Sequence, residues 1–166
     1  MVTIPKINPH GTVRENRLRR AGLLKQDIVG LETTQPHINL IKHPWRNLKT
    51  ASSERKIPLV GSALWAAKRI LEADNSTDFA FPRYNRTSTT AANSASAALN
   101  KWLKQYIPVG CTMHSFRHSM RDRLRAVQCP ADITDQIGGW TTDGVGQGYG
   151  SGYPLSVLQE WLEKVK

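Results

Sequence analysis

Apolar and polar positions alternate in two short stretches, His37-Ile38-Asn39-Leu40-Ile41 and Arg55-Lys56-Ile57-Pro58-Leu59-Val60. That period of two predicts a pair of half-buried strands. Between them the small polar run Lys49-Thr50-Ala51-Ser52-Ser53 reads as a turn, so the pair predicts a β-hairpin with a lysine near its tip. Elsewhere the period is helical. Ser62 caps a helix running to about residue 73, with Leu64, Ala67, Ile70 and Leu71 on one face. Residues 91–106 give an Ala-rich helix ending in the stripe Leu99, Trp102, Leu103 and Tyr106. Residues 114–128 give another, with Phe116, Met120, Leu124 and Val127 as its buried edge. A short helix over 130–138 turns Ile133 and Ile137 inward. Pro154 opens a last helix striped with Leu155, Leu158, Leu162 and Val165. Residues 13–24 form a short, very basic helix ending near Gly22, and residues 74–90 are mostly loop. Seven glycines between positions 138 and 152 rule out a regular element there. The expected fold is mainly α with a small antiparallel β-sheet, an α+β class, in one domain spanning residues 1–166.

Composition narrows the partners. The chain of 166 residues has 23 basic against 13 acidic side chains, a net +10, and residues 1–60 alone hold eleven Lys/Arg against four Asp/Glu. A field of that sign attracts polyanions, nucleic acid first among them. Two cysteines, Cys111 and Cys129, are too few for a disulfide framework or a four-cysteine zinc site, and fit a reducing cytoplasm. No apolar run is long enough for a signal peptide or a membrane span. The glycines at 144, 146 and 148 follow no strand and precede no phosphate-binding lysine, so they do not make a nucleotide loop.

The chemistry gathers downstream. His114-Ser115-Phe116-Arg117 presents an imidazole and a guanidinium on adjoining turns. Trp140 follows Arg117 by 23 residues, and Tyr149 follows Trp140 by nine. A phenol can attack a phosphodiester, forming a phosphotyrosyl bond that conserves the energy of the broken linkage. A guanidinium fork donates two parallel hydrogen bonds to the non-bridging oxygens. An imidazole can donate to the same phosphate or accept the phenol's proton. Lys49 at the hairpin tip can protonate the leaving alkoxide. Each such charge-stabilising donor is worth about 3–4 kcal/mol. Tyr153, beside Pro154, is the competing phenol and reads as a packing residue. His118 reads as structural, and Arg121, Arg123 and Arg125 as solvated surface.

These boxes resemble the catalytic domain of the tyrosine recombinases, the phage-integrase family. His114-Ser115-Phe116-Arg117-His118-Ser119 looks like the family's His-x-x-Arg box, and Lys49 before Arg55-Lys56-Ile57-Pro58-Leu59 looks like its hairpin lysine. Gly138-Gly139-Trp140 stands where the family has Gly-His or Gly-Trp, and Tyr149 stands at the nucleophile's distance. The resemblance covers nearly the whole chain from about Gly11. It implies site-specific DNA cleavage and rejoining on double-stranded DNA through a 3′-phosphotyrosyl intermediate, with Arg14, Lys49, His114, Arg117, Trp140 and Tyr149 as the catalytic set. It implies no cofactor and no metal, and self-association on DNA through the C-terminal helix. Two departures stand out. Six residues before Gly22, where the family's first arginine belongs, the chain has Asn16; Arg14 is the preferred counterpart and Arg17 the other choice. The chain also begins almost at that arginine, so the expectation is a catalytic domain with no core-binding domain before it. The alternatives are a degenerate integrase remnant that binds DNA without catalysis, and a type IB topoisomerase-like enzyme.

Overall fold

A computed structural model describes residues 22–44, 46, 48, 54–73, 77–86, 89–140 and 152–165. The expected basic helix over 13–24 falls on residues outside this set except at its end, where Leu24 forms an isolated antiparallel bridge with Phe79. A single 3-10 turn, Lys25–Asp27, leads into β1, Ile28–Val29. The two expected strands are present as β2, His37–Leu40, and β3, Arg55–Pro58, paired antiparallel with Ile38 opposite Ile57 and Leu40 opposite Arg55. β1 joins the other edge of β2, making a three-stranded antiparallel sheet in the order β1-β2-β3.

Five α-helices follow among the described residues: α1, Gly61–Glu72; α2, Ala92–Leu103; α3, Ser115–Ala126; α4, Ala131–Gly138; and α5, Leu155–Glu163. A 3-10 turn at Pro82–Tyr84 and a small hairpin of β4, Asn85–Arg86, with β5, Thr89–Thr90, interrupt the stretch expected as loop. The class is therefore mixed α+β.

Two cores meet at the end of β3. On one side Leu23, Ile28, Leu59, Ala67 and Ala80 are buried together, covered by Ile38, Leu64 and Ile70. On the other, Leu124, Cys129, Ile133, Ile137, Leu158, Leu162 and Val165 join α3, α4 and α5, with Val60 packed against them. Consecutive residues Leu59 and Val60 thus serve different cores, as the alternation of an extended chain requires. α5 packs against β3 as well as into the second core, so its apolar stripe is buried on its own chain.

The helical stripes are only partly as expected. α1 buries Ala67 but leaves Leu71 exposed. α2 buries Ala92, Ala95 and Ser96 in its first half and Leu103 at its end, as expected for Leu103; Tyr84 packs on the two alanines. Leu99 and Trp102 on the helix, and Tyr106 after it, are exposed. A face of small side chains lets the helix backbone lie close to its neighbour. On α3 Leu124 is fully buried and Met120 and Val127 flank the core, but Phe116, one turn before the core begins, is exposed.

The sheet is tied down by a buried ion pair as well as by the apolar core around Ile28 and Leu59. Arg46 is 0% exposed and Asp27 2%. Arg46 Nη1 donates to Asp27 Oδ2 at 2.7 Å and to the Gly22 carbonyl at 3.2 Å, while its Nε and Nη2 donate to the Ile41 carbonyl at 3.0 and 2.8 Å. Asp27 Oδ2 also accepts the Leu24 N–H at 2.9 Å, and His43 Nε2 stands 3.4 Å from Oδ1. Removing one member of a buried pair leaves the other charge uncompensated, which costs about 3–5 kcal/mol. Arg46→Met is expected to lose that much in urea unfolding. The double variant Arg46→Met/Asp27→Leu should recover most of it, since two apolar groups replace two charges.

Candidate functional site

The box beginning at His114 is held by the loop that precedes it. Asn100 on α2 accepts the Met113 N–H at 2.8 Å, Thr112 Oγ1 accepts the His114 N–H at 3.2 Å, and Ser115 Oγ accepts the Thr112 N–H at 2.9 Å. These bonds satisfy backbone donors ahead of α3 and fix where the helix starts. His114 occupies the N-cap position with helical φ and ψ, and its side chain makes no capping bond. Its ring instead meets His118 edge-on, centroids 4.9 Å apart, so His118 is a neighbour of the box rather than a residue on another face. Arg117 follows within the first turn.

Trp140 reaches the same place from α4. That helix ends in a Schellman motif: the Trp140 N–H donates to the Asp135 carbonyl at 3.0 Å and the Gly139 N–H to the Gln136 carbonyl at 3.4 Å. Gly139 is left-handed there, at φ +60° and ψ +42°, where a side chain is strained. Gly138 has a different task. A Cβ on it would fall inside the van der Waals radii of Trp140 Cε3 and Cζ3, so the indole lies flat across the glycine. Arg55 of β3 donates through Nε to the Ile137 carbonyl at 3.1 Å, covering one of the open carbonyls at the negative end of α4.

The result is a stack. The Arg117 guanidinium lies over the Trp140 ring, 4.3 Å from its centroid. Such a cation–π contact contributes about 0.5–2 kcal/mol and orients the planar fork. His114, Arg117 and Trp140 are all part-exposed, so an incoming phosphate can reach them. Two residues 23 positions apart are brought together because α3 and α4 share the core around Leu124, Ile133 and Ile137. Arg14, Lys49 and Tyr149, as well as Arg17, lie outside the described residues.

Two features escaped the sequence reading. Arg121 is only partly solvated surface: its side chain is 37% exposed, but its guanidinium lies 5.1 Å from the Trp140 centroid, and its Nη2 stands 3.5 Å from Oδ1 of Asp135, a buried carboxylate. The signal was available, since Arg117 and Arg121 are four apart and share a helix face. Arg123 and Arg125 are exposed, as expected. Arg55 as a cover for the end of α4 had no local signal, because its partner is 82 residues away.

Tyr153 is engaged elsewhere. Its hydroxyl donates to Asp132 Oδ2, its N–H to Gln136 Oε1 at 2.8 Å, and its carbonyl accepts Gln136 Nε2 at 3.0 Å. It is fastened to α4 rather than packed on the last helix. No protein-family model, curated protein or solved structure matches the chain. Among the described residues there is no cluster of three metal-ligating side chains and no helix long and apolar enough to cross a membrane.

Two outcomes follow from this geometry. Gly138→Ala should expel the indole from its seat and abolish the Arg117 stack, seen as loss of Trp140's near-UV circular dichroism with little change in helix content. Tyr153→Phe should flatten the pH dependence of stability at both ends. The phenol's hydrogen bond holds the Asp132 carboxyl below its ordinary value, so that contribution exists above the carboxyl's unfolded pKa and fades as pH falls through the lower folded one, under about pH 4. The same bond, with some desolvation and the carboxylate's charge, raises the Tyr153 phenol, so its contribution is complete below about pH 10 and fades above it. Both groups are exposed and screened, so each limb should be shallow in pH-dependent thermal melts.

Proposed function

We propose that the chain is a DNA breaking-and-rejoining catalytic domain of tyrosine-recombinase type, acting on double-stranded DNA. The observation that supports this reading is the Arg117 guanidinium seated on Trp140 beside His114 at the open end of α3. A planar cation held in one orientation by an indole is suited to the two non-bridging oxygens of a phosphodiester. The imidazole at the helix start adds a second donor or a base, and the N-terminal end of α3 adds a favourable dipole for an anion.

In this reading Tyr149 Oη attacks phosphorus, and its proton passes to His114. Arg117, with Arg14, balances the charge growing on the phosphorane oxygens. The bond to the 5′ oxygen breaks, and Lys49 supplies that oxygen with a proton. The phosphotyrosyl ester keeps the energy of the original linkage, so attack by a 5′ hydroxyl reverses the reaction and joins the same or an exchanged strand. The net charge of +10 favours the encounter with duplex DNA.

A nicked duplex that loses its 5′ fragment after cleavage traps the covalent adduct. The wild-type chain is expected to form it and Tyr149→Phe to form none. Arg117→Ala should be slower by roughly 10²–10³-fold, as when one oxyanion donor is removed. No adduct from the wild type on a library of such duplexes, with retained DNA binding, would leave a non-catalytic DNA-binding domain. Adduct formation that ends only in relaxed plasmid, without exchanged strands, would make the enzyme a topoisomerase instead.

A further inference from the structure

Arg121 has no place in the catalytic set, yet it shares the Trp140 indole with Arg117. Two guanidiniums four residues apart on one helix repel each other, and that arrangement needs compensation. The structure provides it in two forms. The indole ring takes both cations, at 4.3 and 5.1 Å, and the carboxylate of Asp135 stands 3.5 Å from Arg121 Nη2. Asp135 is 3% exposed, and its Oδ2 has no hydrogen-bond partner; Arg121 Nε is likewise buried and without one. Each residue of the pair thus keeps one buried polar atom open besides the Nη2–Oδ1 contact at 3.5 Å, so a closer approach of the two groups has bonds to gain. Asp135 also supplies the backbone carbonyl that receives the Trp140 N–H, so one residue holds the indole by its main chain and holds the cation on that indole by its side chain.

We propose that Arg121 is a positioning residue, tethered by Asp135, which fixes the Trp140 indole and through it the orientation of the Arg117 guanidinium. Because its Nη2 is directed to Asp135, Arg121 acts on the phosphate through Trp140 and Arg117 rather than by touching it. This inference rests on the reading of Arg117 as the phosphate-binding cation. If that holds, loss of Arg121 slows the chemical step without weakening the hold on DNA, whereas loss of a phosphate contact does both.

The experiment uses the full chain labelled with 5-fluorotryptophan, in which the five tryptophans give separate fluorine resonances and Trp140→Phe assigns the one concerned. Arg121→Ala and Asp135→Asn should each shift or broaden the Trp140 resonance, and Arg123→Ala, exposed on the same helix, should not. In single-turnover cleavage of the nicked duplex, Arg121→Ala should fall by on the order of 10²-fold, as a misplaced group does, with DNA affinity at fixed salt within twofold of wild type. Arg121→Lys, which keeps the charge without the planar fork, should restore only part of the rate. If Arg121→Ala does not fold, Arg121→Gln/Asp135→Asn removes both charges together and carries the same test. A Trp140 resonance unmoved in these variants overturns the proposal, and so does a moved resonance with wild-type cleavage. If the wild type forms no adduct, the reading of function fails, and the fluorine resonance alone decides whether Arg121 and Asp135 position the indole.

Discussion

The buried pair of Asp27 and Arg46 is the constraint on which the sheet end of the molecule depends. A guanidinium with no exposed surface would be prohibitive unless its donors were spent, and here they are distributed between one carboxylate and the carbonyls of Gly22 and Ile41. Those acceptors come from three places: Gly22, the 3-10 turn before β1, and Ile41 just after β2. The pair therefore joins the segment before β1 to the segment after β2. An apolar substitute could supply the packing but not this directionality.

β3, paired with β2, links this end of the sheet to the helices. Leu59 closes the first core and Val60 touches the second, while Arg55, at the start of the same strand, reaches the carbonyl at the end of α4. The helix end that carries Trp140 is thus bound by its own Schellman bonds and by Arg55 of β3. Backbone geometry at Gly139 and the absence of a side chain at Gly138 give the indole its place, and Arg117 and Arg121 lie over its ring. Such a seat is rigid but narrow, and a single methyl group is enough to disturb it.

Much of this was legible in the sequence, for identifiable reasons. Strands β2 and β3 and all five helices came from periodicity, and Ile133, Ile137, Leu158 and Leu162 were placed correctly in the core. Periodicity was right for Leu103 but failed where burial was decided by close approach rather than by side-chain size: α2 also buries two alanines and a serine, while Leu99, Trp102 and, beyond the helix, Tyr106 are exposed. It failed again for charged residues, because a buried ion pair has no periodic signature. Nothing local marks Asp27 and Arg46, 19 residues apart, or Arg121 and Asp135, 14 apart, as partners. For the site, the sequence reading set Arg117 and Trp140 in one group, and the guanidinium lies 4.3 Å from the indole centroid; the residues that hold the pair in place had no such signal.

Arg55, Arg117 and Arg121 all converge on the end of α4, whose dipole offers them a partial negative charge. The indole and the Asp135 carboxylate answer the repulsion between Arg117 and Arg121, and Arg55 Nε donates to the Ile137 carbonyl. Each of these contacts fixes a direction as well as a charge, because a guanidinium donates only in its own plane. One helix end thus gathers three arginines in set orientations, in a chain already at +10. Cations gathered in that way favour an anionic partner, which is why a phosphodiester is the ligand proposed for them.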